Sequence, residues 1–189
     1  MTSLYAMIVH GLPGAGKSTF AASVAAFDRA AVLLSNDVIR RQLGFPRLGP
    51  EYTARVYEFA ADRAVAALAA GRPAILDATF YKRSYRRLVL APLVRERAPI
   101  VLAEITTPLA LCRARVASRE GEVHGVDDIA RFDDLLKNWE KWAEDEIELA
   151  SARVTIDCSS LPPKLVSTLG TRCGRALEAI LKICQGEES

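Results

Sequence analysis

Residues 11–19 read Gly11-Leu12-Pro13-Gly14-Ala15-Gly16-Lys17-Ser18-Thr19 and satisfy the pattern G-x-x-x-x-G-K-[ST]. They lie between an apolar run that predicts a strand over 4–10 and a pattern that predicts a helix over 17–26. Glycines let the backbone turn so that its N–H groups converge on phosphate oxygens, and the helix adds the positive end of its dipole. The stretch predicts a nucleoside triphosphate site formed by Gly11, Pro13, Gly14, Ala15, Gly16, Lys17, Ser18 and Thr19.

Two oxygen-bearing side chains are candidates for holding Mg²⁺ beside the phosphates. The Ser18 hydroxyl follows Lys17, which is expected to bridge the outer phosphates. Asp77 ends a short apolar run over 74–77, a pattern expected of the carboxylate that holds Mg²⁺ directly or through water. The sequence thus predicts a metal site formed by Ser18 and Asp77.

Short apolar runs alternate with helical patterns along the rest of the chain. This alternation is typical of a parallel sheet that is covered by helices on both faces. The predicted strands cover 4–10, 31–34, 74–77, 100–105 and 154–157. The predicted helices cover 17–26, 38–43, 52–70, 84–96, 109–119, about 127–150 and about 164–183. We expect one domain over residues 1–189, because no long linker, repeat or low-complexity segment interrupts the pattern.

Composition limits where the protein works and what it binds. Half of the 189 residues are hydrophobic and a quarter are charged, so a packed core is expected. The net charge of +2 is too small to indicate nucleic-acid binding by itself. The uncharged stretch 1–16 is shorter than the roughly 20 apolar residues of a membrane span and lacks the basic start of a secretory signal. We therefore expect a cytoplasmic protein without membrane contact, and its four cysteines, which lack metal-ligand spacing, are expected to be reduced thiols.

Other segments separate the classes of protein that share such a phosphate-binding loop. The sequence has no Asn-Lys-x-Asp to recognise guanine, and Asp77-Ala78-Thr79-Phe80 is not the Asp-x-x-Gly of a GTPase switch. The chain is also short for a ring ATPase that carries its own helical domain. These absences favour a small kinase.

Asp37 and Arg40 are the candidates for contact with a phosphoryl acceptor. Asp37 follows the second predicted strand, so it is expected at the carboxyl edge of the sheet beside the phosphate loop. A carboxylate there can accept a proton from an attacking hydroxyl. Arg40, one helical turn later, can hold an anionic group of the acceptor through two parallel hydrogen bonds. Asp37 can also cap the helix that follows, a role compatible with catalysis.

Further side chains are expected around the acceptor and over the nucleotide. Thr79 and Arg86 follow the third strand and are expected to border the acceptor, although Arg86 belongs to a basic run over 82–87 that is equally typical of a solvated face. Arg115 and Arg119 lie four apart, so they can pack on adenine and neutralise charge on the transferred phosphoryl group. Residues of about 113–130 are expected to form a lid with glycine hinges.

These motifs resemble the small P-loop kinases that are grouped as predicted ATP-binding proteins or as polynucleotide-kinase-like ATP-binding proteins. This group is related to the adenylylsulfate, gluconate and chloramphenicol kinases. The match covers about residues 8–119. The resemblance implies an α/β P-loop fold of three layers, with a five-stranded parallel sheet in the order 2-3-1-4-5, a helical lid, ATP and Mg²⁺. In polynucleotide kinases the residue matching Asp37 is the general base, and the one matching Arg40 contacts the acceptor's phosphate. Phe80 departs from the pattern, because many relatives have Asn there.

The sequence therefore favours an ATP-dependent phosphotransferase that acts on a hydroxyl group. A small-molecule acceptor is favoured by the near-neutral net charge and by the lack of exposed-aromatic patterning. A nucleic-acid 5′-hydroxyl remains an alternative, with the basic run over 82–87 as a track for the phosphate backbone. A regulatory ATP-binding module with slow ATPase activity is a third interpretation, but it leaves Asp37 without a role. The identity of the acceptor and the oligomeric state stay open.

Overall fold

The computed structural model describes residues 4–45, 49–118, 129–170 and 174–187. The strands are β1 (Ala6–His10), β2 (Val32–Ser35), β3 (Ala74–Asp77), β4 (Ile100–Thr106), β5 (Ala152–Asp157) and β6 (Lys164–Leu169). The helices are α1 (Lys17–Phe27), α2 (Asn36–Gln42), α3 (Pro50–Ala69), α4 (Arg83–Arg95), α5 (Leu109–Ala117), α6 (Ile129–Lys137), α7 (Glu144–Ile147) and α8 (Gly174–Gln185).

The sheet has the strand order β2-β3-β1-β4-β5-β6. The first five strands are parallel to their neighbours, which confirms the predicted order 2-3-1-4-5. The sixth strand pairs antiparallel with β5 and makes the sheet mixed. The sequence did not indicate β6, because five of its six residues are exposed and the strand lacks the continuous apolar character of the others.

Helices cover both faces of the sheet and complete three layers. Successive residues of β1 point to opposite faces: Met7 and Val9 pack with α1, α5 and α8, while Ala6 and Ile8 pack with α3 and α4. All five residues of β1 are buried, since this strand lies inside the sheet. The central strand that leads into the phosphate loop is thus held from both sides, which fixes the start of the loop.

Two predicted helices are wrong. The single helix expected over about 127–150 is interrupted, because α6 ends at Lys137 and α7 begins at Glu144. Between them the carbonyls of Glu140 and Lys141 accept hydrogen bonds from the Arg86 side chain instead of continuing a helix. The helix expected from about 164 begins at Gly174, because β6 occupies residues 164–169. Most of the expected lid, including Arg119, lies outside the described residues.

In the described part of the chain, no helix is both long enough and apolar enough to cross a bilayer.

Candidate active site

The phosphate loop connects β1 to α1 and depends on its glycines. Gly14 and Gly16 have positive φ values of 78° and 102°, a backbone region that residues with a side chain rarely adopt. A Cβ atom on Gly14 would lie 2.4 Å from the carbonyl oxygen of Cys112, and one on Gly11 would lie 2.4 Å from that of Ile105. The loop is therefore packed directly on the backbone of α5 and of the end of β4. Only glycine fits these contacts.

The loop presents hydrogen-bond donors to an anion. Gly16 precedes the first residue of α1 and supplies no side-chain cap, so the N–H groups of the first turn are left for a ligand. Lys17 is 8% exposed, and its Nζ donates to the carbonyl oxygen of Leu12 at 2.8 Å. This bond fixes the position of the Lys17 ammonium group relative to the loop. The arrangement fits the charge and shape of a triphosphate tail.

Asp77 lies at the end of β3 beside the first turn of α1. The hydroxyls of Ser18 and Ser35 donate hydrogen bonds to its carboxylate, which is 5% exposed. Burial raises the pKa of Asp77 and outweighs the lowering by Lys17 and by these hydrogen bonds, while the charge of Asp37 raises it further. A bound cation would favour the ionised carboxylate and so offset this burial.

The Ser18 hydroxyl and the Asp77 carboxylate are oxygen donors that suit Mg²⁺. They suit it better than a metal that is coordinated by protein side chains alone. In the described residues no three His, Cys, Asp or Glu side chains come together as a metal site. Mg²⁺ is typically held by one or two carboxylates together with waters and substrate phosphates. A hydroxyl and a carboxylate next to a phosphate loop match that pattern. Ser18 and Asp77 are thus the residues that could hold it.

One cavity of about 200 Å³ joins the phosphate loop to the expected acceptor side. Asp37 and Arg40 line it from α2, and Thr79, which follows β3, also lines it. The pairing of Ser35 with Asp77 in neighbouring parallel strands brings the ends of β2 and β3 to the same edge of the sheet. The predicted site residues in this cavity are Pro13, Gly14, Gly16, Lys17, Ser18, Thr19, Asp37, Arg40, Asp77 and Thr79. Gly11 and Ala15 lie behind it and line a separate cavity on the β4 side of the loop.

The sequence interpretation missed the side chains that α3 and α6 add to this cavity. These are Thr53, Tyr57, Arg131, Asp134 and Leu135, and Tyr81 joins them from the segment before α4. Thr53 accepts a hydrogen bond from Arg40 at 3.2 Å, which orients the guanidinium at the cavity wall. Arg131 and Asp134 are three residues apart and share one face of α6. This spacing was the available signal that the two side chains lie together. Nothing in the sequence indicates that this face of α6 lies near the phosphate loop.

Arg86 is placed elsewhere, and the expectation that it contacts the acceptor is corrected. Its side chain is 0% exposed and does not line the cavity. All five N–H donors are used: two bond to the Glu146 carboxylate at 2.9 Å, and three bond to the carbonyls of Phe80, Glu140 and Lys141. No donor remains for a substrate, so Arg86 holds the segment after α6 against α4.

Phe80 also has a structural role at the position where relatives have Asn. It is 1% exposed, has a φ of 52° and packs edge-on against the ring of Tyr57. Its backbone N–H donates to the Tyr57 hydroxyl at 3.1 Å. The side chain therefore points into the core rather than toward an acceptor.

Arg115 supports the phosphate loop from behind. Its Nη1 donates to the carbonyl oxygen of Gly14 at 3.2 Å, and its Nη2 donates to that of Cys158 at 3.1 Å. It does not line the cavity that contains Asp37. Its guanidinium thus ties the loop to the end of β5. Arg119, the second predicted arginine, lies outside the described residues.

The sequence of residues 7–142 matches the model of a family described as an AAA domain. The chain belongs to this family. Its fold is shared with three solved structures, two of them kinases, that are similar to it along nearly the whole chain. A sugar kinase from Janibacter sp. HTCC2649 is 18% identical with a TM-score of 0.60, and the match covers 99% of each chain. No curated protein matches the sequence.

The other two structures contain nucleotides. The APS kinase of Mycobacterium tuberculosis, in complex with AMPPNP and APS, is 19% identical with a TM-score of 0.56, over 97% of this chain and 98% of that one. Kti12 of Chaetomium thermophilum, in complex with ADP-AlF3, is 14% identical with a TM-score of 0.65, over 97% of this chain and 100% of that one. At these identities the similarity establishes the shared P-loop kinase fold.

Acid is expected to destabilise the protein through His10, the residue just before the phosphate loop. Burial, followed by the charges of Arg86 and Lys17, lowers the pKa of His10 from 6.5 to about 3. Between these values the unfolded chain binds a proton here that the folded chain does not. The free energy of unfolding should therefore fall by up to about 1.4 kcal/mol for each pH unit of acidification in this range, from this residue alone.

Urea unfolding from about pH 7 to about pH 5 measures this slope, and His10→Phe is the matched variant. Phenylalanine keeps a ring against Trp142, whose centroid lies 4.9 Å from that of His10, but it cannot bind a proton. We expect the variant to lose the His10 part of the slope. An identical pH dependence in the two proteins would contradict the prediction.

Proposed function

We propose that the chain is an ATP-dependent phosphotransferase that moves the γ-phosphoryl group of ATP to a hydroxyl group of an acceptor. The observation that carries the proposal is a single cavity lined by the phosphate loop and Asp77 together with Asp37 and Arg40. A nucleotide holder alone would not need the Asp37 carboxylate and the Arg40 guanidinium in the same cavity as the phosphate loop. The nucleotides in the structures of APS kinase and Kti12 support ATP as the phosphoryl donor.

Each residue has a defined part in the proposed transfer. The loop amides and Lys17 bind the β- and γ-phosphates. Ser18 and Asp77 would hold Mg²⁺, which when bound neutralises charge on the phosphate oxygens. Asp37 accepts the proton of the acceptor hydroxyl as that oxygen bonds to the γ-phosphorus. The bond from this phosphorus to the oxygen of the β-phosphate breaks, and ADP leaves.

Asp37 and Arg40 are suited to different parts of the acceptor. Asp37 is exposed in the first turn of α2, where the helix dipole favours a carboxylate. Arg40 lies one turn later and is oriented by Thr53. Asp37 can thus meet the reacting hydroxyl while Arg40 binds an anionic group nearby. An acceptor with a hydroxyl and a negative charge would use both residues.

The size of the cavity and the contacts of the basic run over 82–87 favour a small acceptor. The cavity measures about 200 Å³ and is bounded by α2, α3 and α6. The basic run over 82–87 offers little to a nucleic-acid backbone, because Arg86 is buried and Arg83 forms an ion pair with Asp145. These two arginines were half of the expected track. A polynucleotide acceptor is therefore the less supported alternative.

Transfer of label from γ-labelled ATP tests the proposal. The acceptors are a panel of small hydroxyl compounds with and without an anionic group, together with 5′-hydroxyl oligonucleotides, and Lys17→Ala is the blank. We expect a labelled small product that depends on Lys17 and is nearly unaffected by added salt. A labelled oligonucleotide with steep salt dependence would replace the small acceptor by the nucleic acid. Release of phosphate without any labelled acceptor across the panel would overturn the proposal in favour of a slow ATPase module.

A further inference from the structure

A second, larger cavity lies over the part of the sheet formed by β4, β5 and β6. Its volume is about 650 Å³, and it shares no lining residue with the cavity that contains Asp37. The floor is formed by neighbouring strands of the sheet. In it, Arg153 of β5 is paired with Leu102 of β4 on one side and with Leu169 of β6 on the other. The segment between α6 and β5 forms the wall, with Trp139 and Trp142. The volume lies in the range of small-molecule sites.

Two side chains that line this cavity contain buried polar atoms without a hydrogen-bond partner. These atoms are Nδ1 of His10 and Nε1 of Trp142. His10 is 5% exposed, and its ring packs against the Trp142 indole. An unpartnered buried polar atom costs on the order of 1–3 kcal/mol, and such atoms are uncommon in folded proteins.

The charged side chains around the cavity define the kind of ligand. Lys141 and Arg153 line it, and among the described residues neither side chain forms a hydrogen bond or an ion pair. Glu104 is the one carboxylate in the lining. The two cations outweigh the one carboxylate, so the cavity favours an anionic group.

The rest of the lining combines apolar and aromatic side chains with the hydroxyls of Thr155, Ser167 and Thr168. Leu102, Ile147 and Leu169 line the cavity together with the rings of Trp139 and Trp142. Flat rings pack well on indoles, and small-molecule sites typically combine such surface with a few polar groups that fix orientation. The ligand that fits both parts of the cavity has a flat apolar body and one anionic group.

We propose that this cavity is a second binding site, separate from the ATP site, for a small aromatic carboxylate. The carboxylate binds Arg153 and Lys141, and the ring packs against the two tryptophans. The site needs no nucleotide and no phosphoryl transfer, so the proposal stands apart from the proposed enzymatic function.

Intrinsic fluorescence gives a local test, because Trp139 and Trp142 are the only tryptophans in the chain and both line the cavity. The full-length protein is titrated with benzoate at neutral pH, and benzamide, which has the same ring without the charge, is the matched ligand. We expect a saturable change in tryptophan emission with benzoate and at least tenfold weaker binding of benzamide. The benzoate response should persist in saturating ATP and Mg²⁺, since this cavity shares no lining residue with the one that contains Lys17, Ser18 and Asp77.

Two variants complete the test. Arg153→Gln should weaken benzoate binding about tenfold or more, whereas Lys164→Gln, which removes a cation of β6 outside the cavity, should leave it unchanged. Thermal unfolding of each variant verifies that it folds. A benzoate response that ATP abolishes, that benzamide reproduces at equal concentration, or that Arg153→Gln leaves intact would overturn the proposal. The absence of any saturable response to benzoate would also overturn it.

Discussion

Replacing Asp37 by Asn is expected to lower the rate of phosphoryl transfer to the acceptor by roughly 10²–10⁴-fold while ATP binding is retained. Asparagine has nearly the same shape, so the cavity and the first turn of α2 are preserved. It cannot accept the proton of the attacking hydroxyl. The groups expected to bind ATP are on the phosphate loop, whereas Asp37 is on α2. The loss should therefore be in the chemical step.

Single-turnover transfer of labelled phosphate and a separate titration with ATP distinguish these effects. Asp134→Asn is the matched control, because Asp134 also lines the cavity but lies on α6. We expect this control to change the transfer rate much less than Asp37→Asn. Full turnover by Asp37→Asn would show that Asp37 is not the base. An equal loss in Asp134→Asn would indicate that the charge of the cavity matters rather than a base at position 37.

The parts of the fold that were predictable are those whose signals are local in sequence. The phosphate loop combines fixed spacing, glycines with positive φ and a neighbouring strand and helix, all within residues 6–27. The strand β3 was predicted with its observed bounds, because a short buried strand is apolar along its whole length. Asp37 could be placed in the cavity for a related reason. In parallel sheets the residues after neighbouring strands meet at one edge.

The parts that were missed depend on partners distant in sequence. Arg86 belongs to a basic run and Glu146 to an acidic run, and each run alone is typical of a solvated surface. The fold brings the two side chains together from 60 residues apart and buries both. The break between α6 and α7 has the same origin, since the carbonyls of Glu140 and Lys141 turn to the buried guanidinium. No local pattern contains this information.

Arg86→Met is expected to produce the largest loss of stability of any substitution considered for this protein. Methionine fills a similar volume but donates no hydrogen bond. The Glu146 carboxylate, which is 3% exposed, would be left without its cation, and three backbone carbonyls would lose their donors. Removing one partner of a buried ion pair typically costs 3–5 kcal/mol, so we expect a loss of about that size in the free energy of unfolding.

Arg83→Met is the matched control on the same helix. Arg83 forms an ion pair with Asp145, but its side chain is 36% exposed and that of Asp145 is 63% exposed. Water screens such pairs, and we expect a loss below about 1 kcal/mol. Urea unfolding at neutral pH measures both variants under the same conditions. Equal losses in Arg83→Met and Arg86→Met would contradict a special role for the buried arginine.

A double variant separates the ion pair from the other contacts of Arg86. Although burial opposes it, hydrogen bonds from Arg86 and from the Ala143 N–H hold the pKa of Glu146 below its ordinary value. The carboxylate is therefore charged at neutral pH and costly to leave alone. Combining Arg86→Met with Glu146→Gln removes that charge, so we expect part of the lost stability to return. The part that does not return measures the lost bonds to the three carbonyls, and two of these, from Glu140 and Lys141, tie the segment after α6 to α4. Transfer activity should fall with that remaining loss, because this segment directly follows α6, from which Arg131 and Asp134 reach the cavity.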